Sequence, residues 1–185
     1  MYTDEMARAE TRMKEAVEST LRDFSTVRTA RANPALLDRI VVDYYDTPTP
    51  LNQLGSVSAP EPRLLVITPW DKTVLGKVEK AIQKSDLGLV PTNDGSVIRL
   101  VIPHLTEERR KDLVKLVRKM AEEKRVAVRN VRRDTIERLR AMEKESTITE
   151  DDLKRALDEI QKATDKHIGD VDRLLADKEV EIMQV

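Results

Sequence analysis

Apolar residues recur at helical spacing over the first thirty positions. Met6, Met13, Val17, Phe24 and Val27 fall on a- and d-like positions with Leu21 beside them. Thr3 lacks the acidic partner of a capping box, and Asn33-Pro34 predicts the stop, because a residue before proline avoids the helical region. A second stripe, Leu113, Leu116, Val117, Met120, Ala127 and Val131, predicts a helix from 105 to about 142. At 1.5 Å per residue it spans roughly 55 Å. A third stripe runs from 150 to 183 through Leu153, Leu157, Ile160, Ile168, Val171, Leu174, Leu175 and Ile182, and Thr149 with Asp152 is a capping pair at its start.

Residues 31–104 follow another pattern, and the prolines and glycines concentrate there. The segments 39–45, "RIVVDYY", and 63–69, "RLLVITP", read as strands rich in β-branched and aromatic residues. Between them "TPTPL" reads as an irregular link stiffened by proline. Asp71 starts a short helix. Trp70 and Leu75 have the spacing of a hydrophobic staple, so Trp70 is expected to be a packing residue. Residues 87–103 read as a hairpin with Asn93-Asp94-Gly95 at its tip.

Long amphipathic helices gain most of their stability by burying the apolar stripe. The economical solution is an antiparallel three-helix bundle of residues 1–30 and 105–185, with a small β/α/β domain, 31–104, inserted in it. The fold class is then α+β. Two crossings join the parts and are expected to act as hinges: Arg31, Ala32, Asn33 and Pro34 in one, Pro103, His104 and Leu105 in the other.

Composition supports an elongated shape, since 36% of residues are charged and only 3% are aromatic, leaving a thin aliphatic core. The chain has no cysteine, which removes disulfides and thiol chemistry. No apolar run approaches a membrane span and the first residues are polar and acidic, so the reading is a soluble cytoplasmic protein. His104 and His167 are the two histidines, and His167 near the apolar seam reads as half-buried packing. No histidine pair, phosphate loop, nucleophile motif or metal spacing occurs, so no enzyme, cofactor or metal is expected.

Charge changes this picture. The net charge is −1, yet residues 105–140 hold 13 basic and 7 acidic residues, and 141–185 hold 7 basic and 13 acidic. The stretch 125–134, "RVAVRNVRRD", has four arginines and no lysine. At about 100° per residue, Lys111, Arg118, Arg125, Arg129 and Arg132 share one line, with Arg133 and Arg140 beside it. The apolar stripe lies nearly opposite, which predicts an exposed rail whose acidic neighbour helix answers only its edges. Arg133, at the edge of the line, is expected to matter less than Arg132. Arginine forks match phosphate, which favours nucleic acid. A solvated face and an acidic protein partner remain open readings.

Five blocks carry a resemblance: "VRTARANPALLDRI" (27–40), "YYDTPTPLNQL" (44–54), "SDLGLVP" (85–91), "LTEERRKDLVKLVR" (105–118) and "RVAVRNVRRD" (125–134). In this order the chain resembles bacterial ribosome recycling factors from end to end. The resemblance implies an L-shaped, tRNA-sized monomer whose bundle contacts rRNA of the large ribosomal subunit. It also implies a partner, elongation factor G, and a function: splitting the post-termination ribosome with GTP hydrolysis supplied by that partner. Matched residue by residue, it implies rRNA contacts at Arg28, Arg31, Arg110, Arg129, Arg132 and Arg133. Two positions depart from the pattern: Ala30 and Asp46 stand where the family usually has glycine. Ala30 favours helix continuation, and Asp46 makes a positive-φ turn less expected.

Overall fold

The protein is described from a computed structural model covering residues 2–184. The chain divides into two compact units, one built from the chain up to Arg28 together with Thr106–Gln184, the other from Thr29–Leu105.

The first unit is three long helices, α1 (Tyr2–Thr26), α4 (Glu107–Lys144) and α5 (Glu150–Met183). Cross-helix ion pairs give their directions. Arg12 meets Asp134 and Lys124 meets Asp23, so α1 and α4 run antiparallel. Arg118 meets Glu179 and Arg125 meets Asp172, so α4 and α5 do too. The core includes Ala9, Met13, Val128, Val131 and Ile160 at mid-length, and Leu139, Ile148 and Ala156 near the α4–α5 connection. Thr106 caps α4 by accepting the Arg109 N–H at 3.1 Å. The far end of α4 closes on a Schellman motif: Thr147 N–H bonds the Met142 carbonyl at 2.8 Å and Ser146 N–H bonds that of Glu143 at 2.9 Å. Ser146 supplies the left-handed residue, φ 55°, that glycine usually provides. Thr149 and Asp152 form a full capping box at the start of α5.

In the second unit the Asn33 side chain accepts the Ala35 N–H and caps a 3-10 turn, Pro34–Leu37. Strands β1 (Val41–Tyr44) and β2 (Thr47–Pro50) pair antiparallel, with Val41 opposite Pro50 and Tyr44 opposite Thr47. "TPTP" is therefore a strand, not an irregular link. Proline is tolerated because this two-stranded ribbon has outer edges that need no N–H donors. The hairpin turns on Tyr45 and Asp46, both with positive φ (49° and 61°). The expectation against a positive-φ turn fails because a two-residue hairpin loop that follows strand twist requires it at both positions, and Asp tolerates it.

After α2 (Leu51–Leu54) comes a sheet of β3 (Gly55–Glu61), β4 (Leu64–Pro69), β5 (Pro91–Asn93) and β6 (Ile98–Val101), all antiparallel in the order β3-β4-β6-β5. Gly55 sits so close to β4 that any Cβ would lie 2.5 Å from the Thr68 carbonyl oxygen. Helix α3 (Leu75–Lys84) turns Leu75, Val78 and Ile82 into a core with Val42, Leu65, Ile67, Ile98 and Leu100. Trp70 does not join it. A 3-10 turn, Lys72–Val74, lies between Asp71 and α3; Leu75 is buried and Trp70 stays 72% exposed. Nor does Ala30 prolong the first helix, which ends at Thr26.

Candidate nucleic-acid interface

Helix α4 buries Leu113, Val117, Ala121, Val128, Val131, Thr135 and Leu139. That face is turned roughly 60° from the stripe expected from sequence, at 100° per residue; Leu116 is exposed. The line of basic residues therefore runs along the flank beside α5, and α5's carboxylates reach it. Arg118 Nε donates to Glu179 at 2.5 Å. Arg125 donates to Asp172 at 2.7 Å and to Glu122 at 2.9 Å, and its side chain is only 21% exposed. Arg129 donates to Glu122 at 3.1 Å, and Lys111 pairs with Glu107 at 2.7 Å. Arg125, at the middle of the line, is thus answered by the acidic helix, which corrects the expectation of an open rail.

Electrostatics follow the same geometry. Hydrogen bonds from Arg125 and Arg129 hold the Glu122 carboxyl below its ordinary value. For Arg125, partial burial works against the charge, but the bonds to Asp172 and Glu122 outweigh it and raise the guanidinium further. The Glu179 bond raises Arg118 in the same way.

Beyond Arg129 the pattern changes. Arg132, Arg133 and Arg140 have no ion pair among the described residues. Arg132 is half-buried, and its Nε is buried without a hydrogen-bond partner. Arg133 and Arg140 are exposed on the outward face, with Lys115 and Lys119. Arg133 is hence the more open of the neighbouring pair.

The other predicted contacts are dispersed. Arg110 is half-buried in the first turn of α4, roughly 28 Å along the axis from Arg129. Arg28 is exposed just after α1 and lines a hollow of about 520 Å³ with Arg109 and Lys119, over Leu113 and Met120. Arg31 is exposed in the second unit. The structure therefore groups Arg129, Arg132 and Arg133 on neighbouring turns, and Arg28 with Arg109. Sequence reasoning missed Arg109, Lys115 and Lys119; a wheel centred on the residues actually buried would have found the last two.

Of the expected hinge residues, Ala32 is buried in the module core and its N–H bonds the Pro62 carbonyl at 2.7 Å, while Asn33 and Pro34 start the 3-10 turn. The change of unit falls earlier, between Arg28 and Thr29. Pro103, His104 and Leu105 have no regular structure, and His104 lies against the Arg63 side chain. His167 is buried more completely than expected, and its Nε2 is 2.9 Å from Glu10. Burial pushes Glu10 up, but the His167 bond and charge outweigh it and leave the carboxyl lowered. Among the described residues no three acidic, histidine or cysteine side chains form a group able to hold a metal ion, and no helix is long and apolar enough to cross a membrane.

Known proteins resemble the chain throughout. The family model described as ribosome recycling factor matches residues 20–183. The ribosome-recycling factor of Syntrophomonas wolfei subsp. wolfei is 58% identical over the whole of both chains, and that of Carboxydothermus hydrogenoformans is 57% identical over the same extent. Among solved structures, a solution structure of the ribosome recycling factor aligns with a TM-score of 0.74 and 46% identity, covering 100% of this chain and 98% of the other. A second match, with a TM-score of 0.64 and 47% identity over 98% of each chain, is a T. thermophilus ribosome recycling factor described with E. coli elongation factor G bound to the E. coli post-termination complex.

Proposed function

The chain belongs to the ribosome recycling factor family, and from that premise we propose that it binds the post-termination ribosome and acts there with elongation factor G to split the subunits. In this reading the chain works in the cytoplasm and supplies binding and mechanical transmission, while the GTPase partner supplies the chemical energy. The bundle docks on phosphates of large-subunit rRNA. Arg129, Arg132 and Arg133 form the centre of the contact, and Arg28, Arg31 and Arg110 extend it.

One observation carries the docking: Arg118, Arg125, Arg129 and Arg138 of α4 are each paired with a carboxylate, whereas Arg132 and Arg133 between them have no ion pair among the described residues. Arginine left without a carboxylate is free to offer its fork to phosphate. Hinge motion belongs to the same reading. Because Ala32, Asn33 and Pro34 are fastened inside the module, bending of the first crossing is assigned to Arg28–Arg31, and that of the second to Pro103–Leu105.

Sedimentation with large ribosomal subunits tests the docking. Arg132→Ala should lose a charge-assisted contact of about 1.5–3 kcal/mol, a drop in affinity of roughly 10- to 150-fold, with far-UV ellipticity unchanged. Parent-like affinity in a natively helical variant would remove Arg132 from the interface.

A further inference from the structure

The module carries charge that the proposed docking does not use. Residues 31–104 contain eight basic and eight acidic residues. Four of those cations, Arg39, Lys77, Lys80 and Lys84, line one hollow of about 440 Å³ between β1 and α3, accompanied by a single carboxylate, Asp43. All four are exposed. None has an ion pair or hydrogen bond among the described residues, whereas Arg99 of the same unit is held by Asp94.

The arrangement follows from how α3 folds. Leu75, Val78 and Ile82 must face the core, so Lys77, Lys80 and Lys84 fall within about 60° of each other on the solvent side. They span roughly 10 Å of helix. Arg39 comes from the segment just before β1, so two parts of the chain converge on the hollow. Like charges so gathered repel one another, and an anion seated among them relieves the repulsion.

We propose that this hollow is a second RNA site, one that grips the phosphate backbone without reading sequence. The proposal rests on the ribosome-binding reading above. Chemistry selects the backbone: lysines are point charges suited to phosphate, and no aromatic side chain lines the hollow for a base to stack on. Its floor of Ile40, Val41 and Ala81 is open to solvent, so the hollow does not enclose a small organic ligand.

The full chain carrying Lys77→Ala, Lys80→Ala and Lys84→Ala together tests the site, because alanine preserves helix α3. Affinity for 70S ribosomes is measured by sedimentation between about 50 and 200 mM salt, and for protein-free 23S and 16S rRNA by filter binding. The triple variant should bind both about tenfold more weakly at the lowest salt, with a salt slope shallower by about 2. Equal affinity and slope for parent and variant would overturn the site while leaving ribosome binding in place. Failure of the parent itself to sediment with ribosomes would instead overturn the reading beneath it. Weaker ribosome binding with parent-like binding to protein-free rRNA would assign the hollow to an acidic protein and overturn the RNA proposal. Should the triple variant fold poorly, Arg39→Glu, outside any helix, is expected to show the same two losses.

Discussion

The two units meet the demand for a buried interior in different ways. The module's core is wholly aliphatic, built from residues such as Leu65, Ile67, Ile82, Ile98 and Leu100. All the buried polar side chains of the described chain, Thr20, Thr135, Thr164 and His167, lie in the bundle instead. Each threonine hydroxyl donates to the carbonyl four residues earlier, at 2.7–2.8 Å, so the buried threonines are satisfied, while His167 reaches Glu10 through Nε2 and keeps a buried Nδ1 without a hydrogen bond. Threonine and alanine at core positions leave less apolar area per turn. The bundle therefore spreads its stability along three helices, whereas the module concentrates it.

Removing one core side chain from each unit should break the molecule in two different ways, and it is the largest effect expected. Ile82→Ala and Ile160→Ala each delete a fully buried chain, and each should cost about 2–5 kcal/mol. Ile82→Ala should unfold the module and leave most of the ellipticity at 222 nm, which comes from α1, α4 and α5. Ile160→Ala should lower the melting of that helical signal. Equal loss of helicity in both variants would mean that the units share one cooperative core.

The same contrast explains what the sequence disclosed. Three helices were legible because Met13, Phe24, Val117, Val131, Ile160 and Val171 repeat at helical spacing. The stripe on α4 was cut short at Val131 because Thr135 reads as polar, so Leu139 beyond it went unnoticed and the buried face was placed too far round. The arginines themselves were plain to see. Their compensation was not, because Asp172 and Glu179 come from 47 and 61 residues away. In the module, prolines hid β2, and the mixed composition of 55–61 hid β3. Trp70 misled because aromatic residues usually pack; here a turn between it and α3 left it in solvent.

Each unit also ties a carboxylate to backbone donors, and acid should separate them. In the bundle, hydrogen bonds with Thr149 hold Asp152 below its ordinary value. In the module, the N–H groups of Val97 and Ser96 and the Arg99 guanidinium hold Asp94 far below it. A carboxyl lowered in the folded state contributes stability that is complete above its unfolded value, about 3.9, and is lost as pH falls through the folded value. Carboxyl NMR titration should therefore show Asp152 protonating first. Thr149→Ala should cost about 1 kcal/mol at neutral pH, and the gap from the parent should narrow in acid as Asp152 is neutralised. A gap independent of pH would show that the box acts only through the Thr149 hydroxyl.

The smallest effect makes the finest comparison, because each unit holds a side-chain-bearing residue where glycine fits better. Ser146 ends α4 at φ 55° and Asp46 turns the β1–β2 hairpin at φ 61°. A left-handed conformation costs an ordinary L-residue about 1–2 kcal/mol, and glycine's extra freedom in the unfolded chain gives back about 0.5 kcal/mol. Ser146→Gly should then stabilise the bundle by about 1 kcal/mol. Asp46→Gly should stabilise the module by about half as much, because the short polar side chain of aspartate already tolerates this region. Denaturant midpoints followed by helical ellipticity for the bundle and by hydrogen exchange at β1 for the module would read the two gains separately. A larger gain at Asp46 than at Ser146 would show that the hairpin is the more strained of the two. The family's usual glycine would then relieve backbone strain that this chain retains at its turn.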